Sequence, residues 1–230
     1  DNGAIVHYEP DEESNKELSE NNFLLADTGG HYMQGTTDIT RTIALGNISD
    51  VQKKHYTAVL KGNLRLADAT FQYGCRGTNL DILAREPLWK YGLDFRHGTG
   101  HGVGYLLNVH ESPNSFRWKI NPMTLNRNDA VLEEGMITSD EPGVYLEGEY
   151  GIRLENLILC IEDKENEYGT FMKFDTLTKV PFDIDAIDKT EMSSEDIRLL
   201  NEYHESVREA ISPLLNEEER IWLEDVTKPI

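Results

Sequence analysis

The chain has 230 residues, 38% of them apolar, enough for one large domain or one domain with an appendage. Its formal charge of -20, from 42 acidic against 22 basic residues, argues against nucleic acid as a partner, because phosphate binding needs clustered Lys and Arg. No apolar run approaches a bilayer span, the start Asp1-Asn-Gly-Ala-Ile-Val6 lacks the basic segment of a signal peptide, and Cys75 and Cys160 lie too far apart for a thiolate zinc site or a disulfide framework; no membrane is expected and a cytoplasmic setting fits.

Gly3 to Tyr8 reads as a strand already under way, and Pro10 to Asn22 as polar loop. Apolar runs at Phe23 to Ala26 and Ile39 to Leu45 then flank Gly29-Gly30 and Gly35, the pattern of two strands joined by a Gly-rich turn. Each strand carries one carboxylate, Asp27 and Asp38. In an antiparallel pair two residues so spaced can lie side by side, and carboxylates held that close repel unless a proton or a metal sits between them. Ser49 is the expected N-cap of a helix whose apolar positions, from Val51 and Tyr56 to Leu66 and Phe71, recur at helical spacing up to Gly74. A second helix is expected from about Asn79 to Lys90, disturbed near Pro87 and ended by Gly92.

The His-rich turn from Phe95 to Gly104 places four glycines around His101, which points to close approach of the backbone to something. Ser112 to Asn128 reads as loop, and strand patterns return at Ala130 to Leu132, Met136 to Ser139, Ile152 to Ile161 and Phe171 to Phe174. Ser194 is the expected N-cap of a helix from Glu195 to Leu214, and Asn216 with Glu219 caps a last helix reaching Trp222 and Leu223. The class is α+β with a helical C-terminal appendage. Acidic runs such as Glu162 to Glu167 read as solvated surface, as do His31, His55 and His204.

Two more acids stand in apolar context: Glu141, directly after an apolar strand, and Glu155, among Ile152, Leu154, Leu157 and Leu159. An ionised glutamate buried there needs a cation. Asp27, Asp38, His101, Glu141 and Glu155 make four carboxylates and one imidazole, a donor set that favours hard or borderline divalent ions: manganese first, with cobalt, iron or zinc as alternatives. Two such ions balance four negative charges and form a hydrolytic site.

These motifs resemble the metallopeptidases of the pita-bread fold, which include methionine aminopeptidase, prolidase and aminopeptidase P. The matching stretches are Asp27 to Thr42, His97 to Glu111, Asp140 to Tyr145 and Gly151 to Asn156, and the phrases around His7 and His110 are most similar to the catalytic domain of long-form Xaa-Pro aminopeptidase. The resemblance implies a dinuclear-metal aminopeptidase that hydrolyses the Xaa-Pro bond at the N-terminus of peptides by attack of a metal-bridging hydroxide. A prolidase-type dipeptidase and a non-catalytic binding module of the same fold are the alternatives. It implies Asp27, Asp38, His101, Glu141 and Glu155 as metal ligands, Glu141 also as general base, and His97 and His110 in catalysis. It further implies His7, His97, His110, Arg153 and Tyr145 at the substrate, with Arg153 supporting the carboxylates.

The resemblance further implies a catalytic part over residues 1–165, a C-terminal extension of strand, loop and helices over 166–230, and a homodimer. In that family helices precede the strand with the His7 motif. The chain is therefore expected to be a fragment that partners a missing upstream segment of the same protein.

Overall fold

The computed structural model describes residues 2–106, 108–119 and 129–230. Its first long element is a hairpin, β1 (Asn22–Tyr32) and β2 (Gly35–Leu45), turning at Met33 and Gln34. Both strands outrun their apolar stretches, because the tight turn keeps the pair in register through Gly29, Gly30 and Thr36 to Asp38. Asp27 therefore stands opposite Thr40, and Asp38 opposite Gly29, so the two acids are diagonal neighbours on one face rather than direct partners.

Helix α1 (Asp50–Ala67) starts where Ser49 and Gln52 form a capping box, and stops at Ala67, short of Gly74, because Phe71–Gln72 is taken as strand β3. Helix α2 (Gly77–Trp89) keeps Pro87 inside its last turn. β4 (Gly100–Val103), β5 (His110–Phe116), β6 (Ile137–Asp140), β9 (Asn156–Asn166) and β10 (Gly169–Thr176) join β3 in a six-stranded sheet of order β3-β10-β9-β6-β4-β5, and β7 (Gly143–Leu146) pairs with β8 (Tyr150–Arg153). Every pairing among the described residues is antiparallel.

Several expected elements are revised. Gly3 to Tyr8 is a 3₁₀ turn at Asn2–Ala4 followed by bends, not a strand. The cause is packing: a Cβ on Gly151 would stand 1.7 Å from the Gly3 carbonyl oxygen, so the two backbones touch directly. The expected loop from Ser112 begins as strand β5, while residues 120–128 of it lie outside the described residues. Val131 makes an isolated bridge with Arg76 where a strand was expected. The run Ile152 to Ile161 is two strands: after Arg153 the backbone leaves β7 and Glu155 N–H donates to Thr40 O (3.0 Å), before β9 begins at Asn156. That break is what turns Glu155 inward.

The C-terminal part adds the helices Ser194–Ile211, capped by Ser193 rather than Ser194, and Glu217–Val226, capped by Asn216 with Glu219 as expected. β10, which follows the expected boundary at residue 165, pairs with β9 and β3, so the extension shares the sheet of the first part. Two cores result. Tyr56, Leu60, Ile152, Phe182 and Leu200 gather between α1, the β7–β8 ribbon and the helix Ser194–Ile211, whereas Leu66, Leu80, Phe116, Ile158 and Phe174 fill the space between α1, α2 and the large sheet. His204 belongs to the first core, fully buried with Nε2 accepting from Phe182 N–H (3.1 Å), because the apolar stripe of its helix carries it inward; it is not a surface residue. His55 is likewise partly buried and bonded to the Tyr150 hydroxyl (2.8 Å). No helix among the described residues is long and apolar enough to cross a membrane.

Candidate metal centre

The hairpin packs against β8 and β9. Asp38 from β2, His101 from β4 and Glu155 from the β8–β9 break each present a ligand atom, and these atoms lie within 4.8 Å of one another. Glu141, just past β6, places Oε1 3.3 Å from His101 Nε2, and Asp38 Oδ2 is 3.4 Å from the same nitrogen. The close approach inferred from the glycines is real: a Cβ on Gly100 would stand 1.7 Å from Ser139 O, and one on Gly102 2.1 Å from Glu111 O. Only glycine lets β4 run this near its neighbours and carry His101 into the cluster.

Asp27 stands at the rim of the four, 42% exposed, with Oδ2 held at 2.5 Å by Arg153 Nη2. Arg153 is almost fully buried and spreads its other donors over Thr40 Oγ1 (3.1 Å) and the Tyr145 hydroxyl (3.0 Å). Thr40 in turn donates to Glu155 Oε2 (2.7 Å). Ser139 Oγ donates to Glu141 Oε1 (3.0 Å) and accepts from His101 N–H (2.9 Å). Sequence reasoning passed over Thr40 and Ser139. The available signal was a polar residue at an inward position of a strand beside a candidate ligand.

Behind the cluster, His97, Tyr145 and Arg153 are ordered by one chain of hydrogen bonds. His97 Nδ1 lies 2.7 Å from Gly98 O, an acceptor, so that nitrogen carries the proton and Nε2 accepts from the Tyr145 hydroxyl at 2.9 Å. Burial pushes His97 down to about 4, keeping the ring neutral, and pushes Tyr145 up to about 12. His110 stacks edge-on against His101 with ring centroids 4.1 Å apart, and burial lowers its pKa. His7 is exposed and lines the mouth of the same cavity, about 360 Å³ in volume, with His97, His101, His110 and Glu141 on its walls.

The acids of the cluster crowd one another. Glu155 Oε1 is buried and, among the described residues, has no hydrogen-bond partner. Burial, and then the charge of Glu141, pushes Glu155 well above the usual carboxylate range, and burial takes Glu141 to about 7. For His101 burial works downward, but the hydrogen bond to Asp38 and the charge of Glu141 prevail and raise it. An orphaned carboxylate oxygen facing an imidazole and two further acids fits one or two divalent cations bound through oxygen with a single nitrogen.

Known proteins agree. The chain is 43% identical over 233 aligned residues to aminopeptidase P1 of Arabidopsis thaliana, covering all of this chain and 35% of that one. It superposes with a TM-score of 0.89 on a solved X-prolyl aminopeptidase from Caenorhabditis elegans, described as a cytosolic enzyme with a dinuclear active site, at 39% identity and over 37% of that chain. An Xaa-Pro dipeptidase from Bacillus anthracis matches 79% of this chain and 45% of its own at 34% identity, with a TM-score of 0.61. This chain thus spans about a third of the length of the curated relatives it matches. The sequence pattern of metallopeptidase family M24 matches residues 1–162 and that of its C-terminal region residues 170–230. With the antiparallel sheet, the hairpin and the helices arranged as in these relatives, the fold is the pita-bread fold, and the chain belongs to metallopeptidase family M24.

Proposed function

We propose that the protein is a metal-dependent aminopeptidase that releases the N-terminal residue from peptides with proline in second position. The observation that carries this reading is the convergence of Asp38, His101, Glu141 and Glu155, with Asp27 clamped beside them by Arg153, next to an open cavity that His101 and Glu141 line, in a chain similar along its whole length to Xaa-Pro aminopeptidases. In this reading Asp27, Asp38, His101, Glu141 and Glu155 hold two divalent ions, manganese before cobalt or zinc. Bound there, the ions supply the Lewis acidity that activates water and polarises a peptide carbonyl.

The chain's own residues do the rest. Glu141 takes the proton from the attacking water and delivers it toward the leaving nitrogen of proline, held for that task by Ser139. Arg153 fixes Asp27 and, through Tyr145, the ring of His97. Since His97 gives its N–H to Gly98, it acts by orienting and accepting rather than by donating to an oxyanion. His110 and His7 bind the peptide along the wall and mouth of the cavity. We also propose a cytoplasmic location, a homodimer, and a catalytic part over 1–165 that borrows β10 from an extension over 166–230.

The test is release of free amino acid from an Xaa-Pro-Pro peptide by the full-length, Mn-loaded protein, abolished by Glu141→Ala, with elemental analysis for two ions per chain. The similarity to an Xaa-Pro dipeptidase keeps a second reading, and cleavage of an Xaa-Pro dipeptide but not the tripeptide would select it. Peptide affinity indifferent to metal, with no cleavage, would select a binding module instead.

A further inference from the structure

Beside the metal cavity, and sharing His97, Gly98 and Arg117 with it, lies a second cavity of about 640 Å³. Its walls differ from the rest of this acidic molecule. Arg85 is inside, but its charge is spent on Asp81 (2.6 Å) and Asp94 (2.7 Å), which also occupies the carboxylate that Asp94 brings to the cavity. Arg96, Arg117 and Lys119 remain, all exposed and, among the described residues, none paired with a carboxylate. Lys119 Nζ sits 4.4 Å from the ring centroid of Trp118, a contact that holds its charge over the cavity wall. Arg117 crosses Gly98 so closely that a Cβ there would lie 3.2 Å from Arg117 Cγ and 3.4 Å from its Nε. The stem of this arginine therefore runs past the residue whose carbonyl fixes His97.

Three uncompensated cations in one cavity stand out on a chain of charge -20, whose general field repels anions. An arginine that lines both the reaction cavity and this one marks a continuous path between them. We propose that Arg96, Arg117 and Lys119 form a carboxylate-binding subsite for the downstream end of the peptide, taking its C-terminal carboxylate or an acidic side chain beyond the proline. The inference rests on the reading of the first cavity as a peptide-cleaving site. A planar guanidinium offers a carboxylate two parallel donors, and lysine adds a point charge that tolerates peptides of different length.

The experiment uses the full-length protein and three matched tetrapeptides with proline second: one with a free C-terminus, one amidated, and one amidated with glutamate as its last residue. The free acid, the glutamate peptide or both should exceed the plain amide in kcat/KM by about ten-fold, the scale of a hydrogen bond to a charged group, mostly through KM. Which of the two does so identifies the source of the carboxylate. The preference should shrink as salt is added and collapse toward unity in Arg117→Ala/Lys119→Ala, while Arg117→Glu should reverse it toward a peptide ending in lysine amide. Equal rates for all three peptides, or a preference unchanged in the double variant, overturn the subsite while leaving the aminopeptidase reading intact. If no peptide is cleaved, that reading falls instead, and calorimetric Kd values for the same three peptides still decide the subsite, equal values overturning it.

Discussion

Glu155, 2% exposed, enters the cluster with Oε2 bonded to Thr40 and Oε1 without a hydrogen-bond partner among the described residues. A carboxylate left that way destabilises the metal-free fold and gives metal its leverage. Glu155→Gln is therefore expected to leave the metal-free protein as stable as before or more so, and to remove most of the rise in Tm expected when Mn is added to the parent; differential scanning calorimetry with and without Mn reads both. Glu141→Gln keeps the shape and the bond from Ser139 but cannot take a proton, so kcat should fall by about 10²- to 10⁴-fold with KM little changed, measured on an Xaa-Pro-Pro peptide. At this scale the acids and His101 were legible because each breaks an apolar or Gly-rich pattern. Thr40 and Ser139 were not: a hydroxyl in a strand is ordinary in sequence, and only the register shows which carboxylate it faces.

The elements were read well where a local signal decides them and poorly where a tertiary contact does. Ser49, with Gln52 reaching back, starts α1 as a capping box must, whereas the apolar run through Ile152 and Ile161 concealed a break that follows from Glu155 bonding across to β2. The same junction depends on Arg41, a buried residue of β2. Its guanidinium donates to Glu155 O (2.6 Å), Asn156 Oδ1 (2.7 Å) and Val180 O (2.7 Å), contacts the Tyr203 hydroxyl (3.0 Å), and lies 4.2 Å from the ring centroid of Phe182. One side chain thus ties β2 and the β8–β9 break to the helix Ser194–Ile211. Arg41→Ala orphans these acceptors together and should cost at least about 3 kcal/mol in urea denaturation, well beyond a surface arginine.

Over the whole molecule, the class was legible in the mixture of hairpins and helices, but the placement of the C-terminal part was not. His204 shows why: a lone histidine in a helix rich in charge reads as surface, yet the apolar stripe of that helix carries it inward beside Phe182 and Tyr203. Burial, with Arg208 and Arg41 nearby, lowers its pKa to about 4. Because the folded value lies below the unfolded 6.5, the unfolded chain binds the extra proton between them, so this contribution is complete above pH 6.5 and is lost as pH falls toward 4. The loss amounts to about 3 kcal/mol, and His204→Gln should flatten that part of the stability profile between pH 7 and 4.5. The β1–β2 hairpin, for its part, is a two-stranded sheet of its own, outside the six-stranded ladder. Its links to the body include Glu155 N–H on Thr40, Arg41, Thr42 on the backbone of Arg153, Ala44 N–H on Asp183, the packing of Phe23 on Tyr56 and Tyr150, and the clamp of Arg153 on Asp27. Such a ribbon can open by itself, so its amides should exchange with deuterium sooner than those of β6 and β9, and metal should slow β1 and β2 far more than the large sheet.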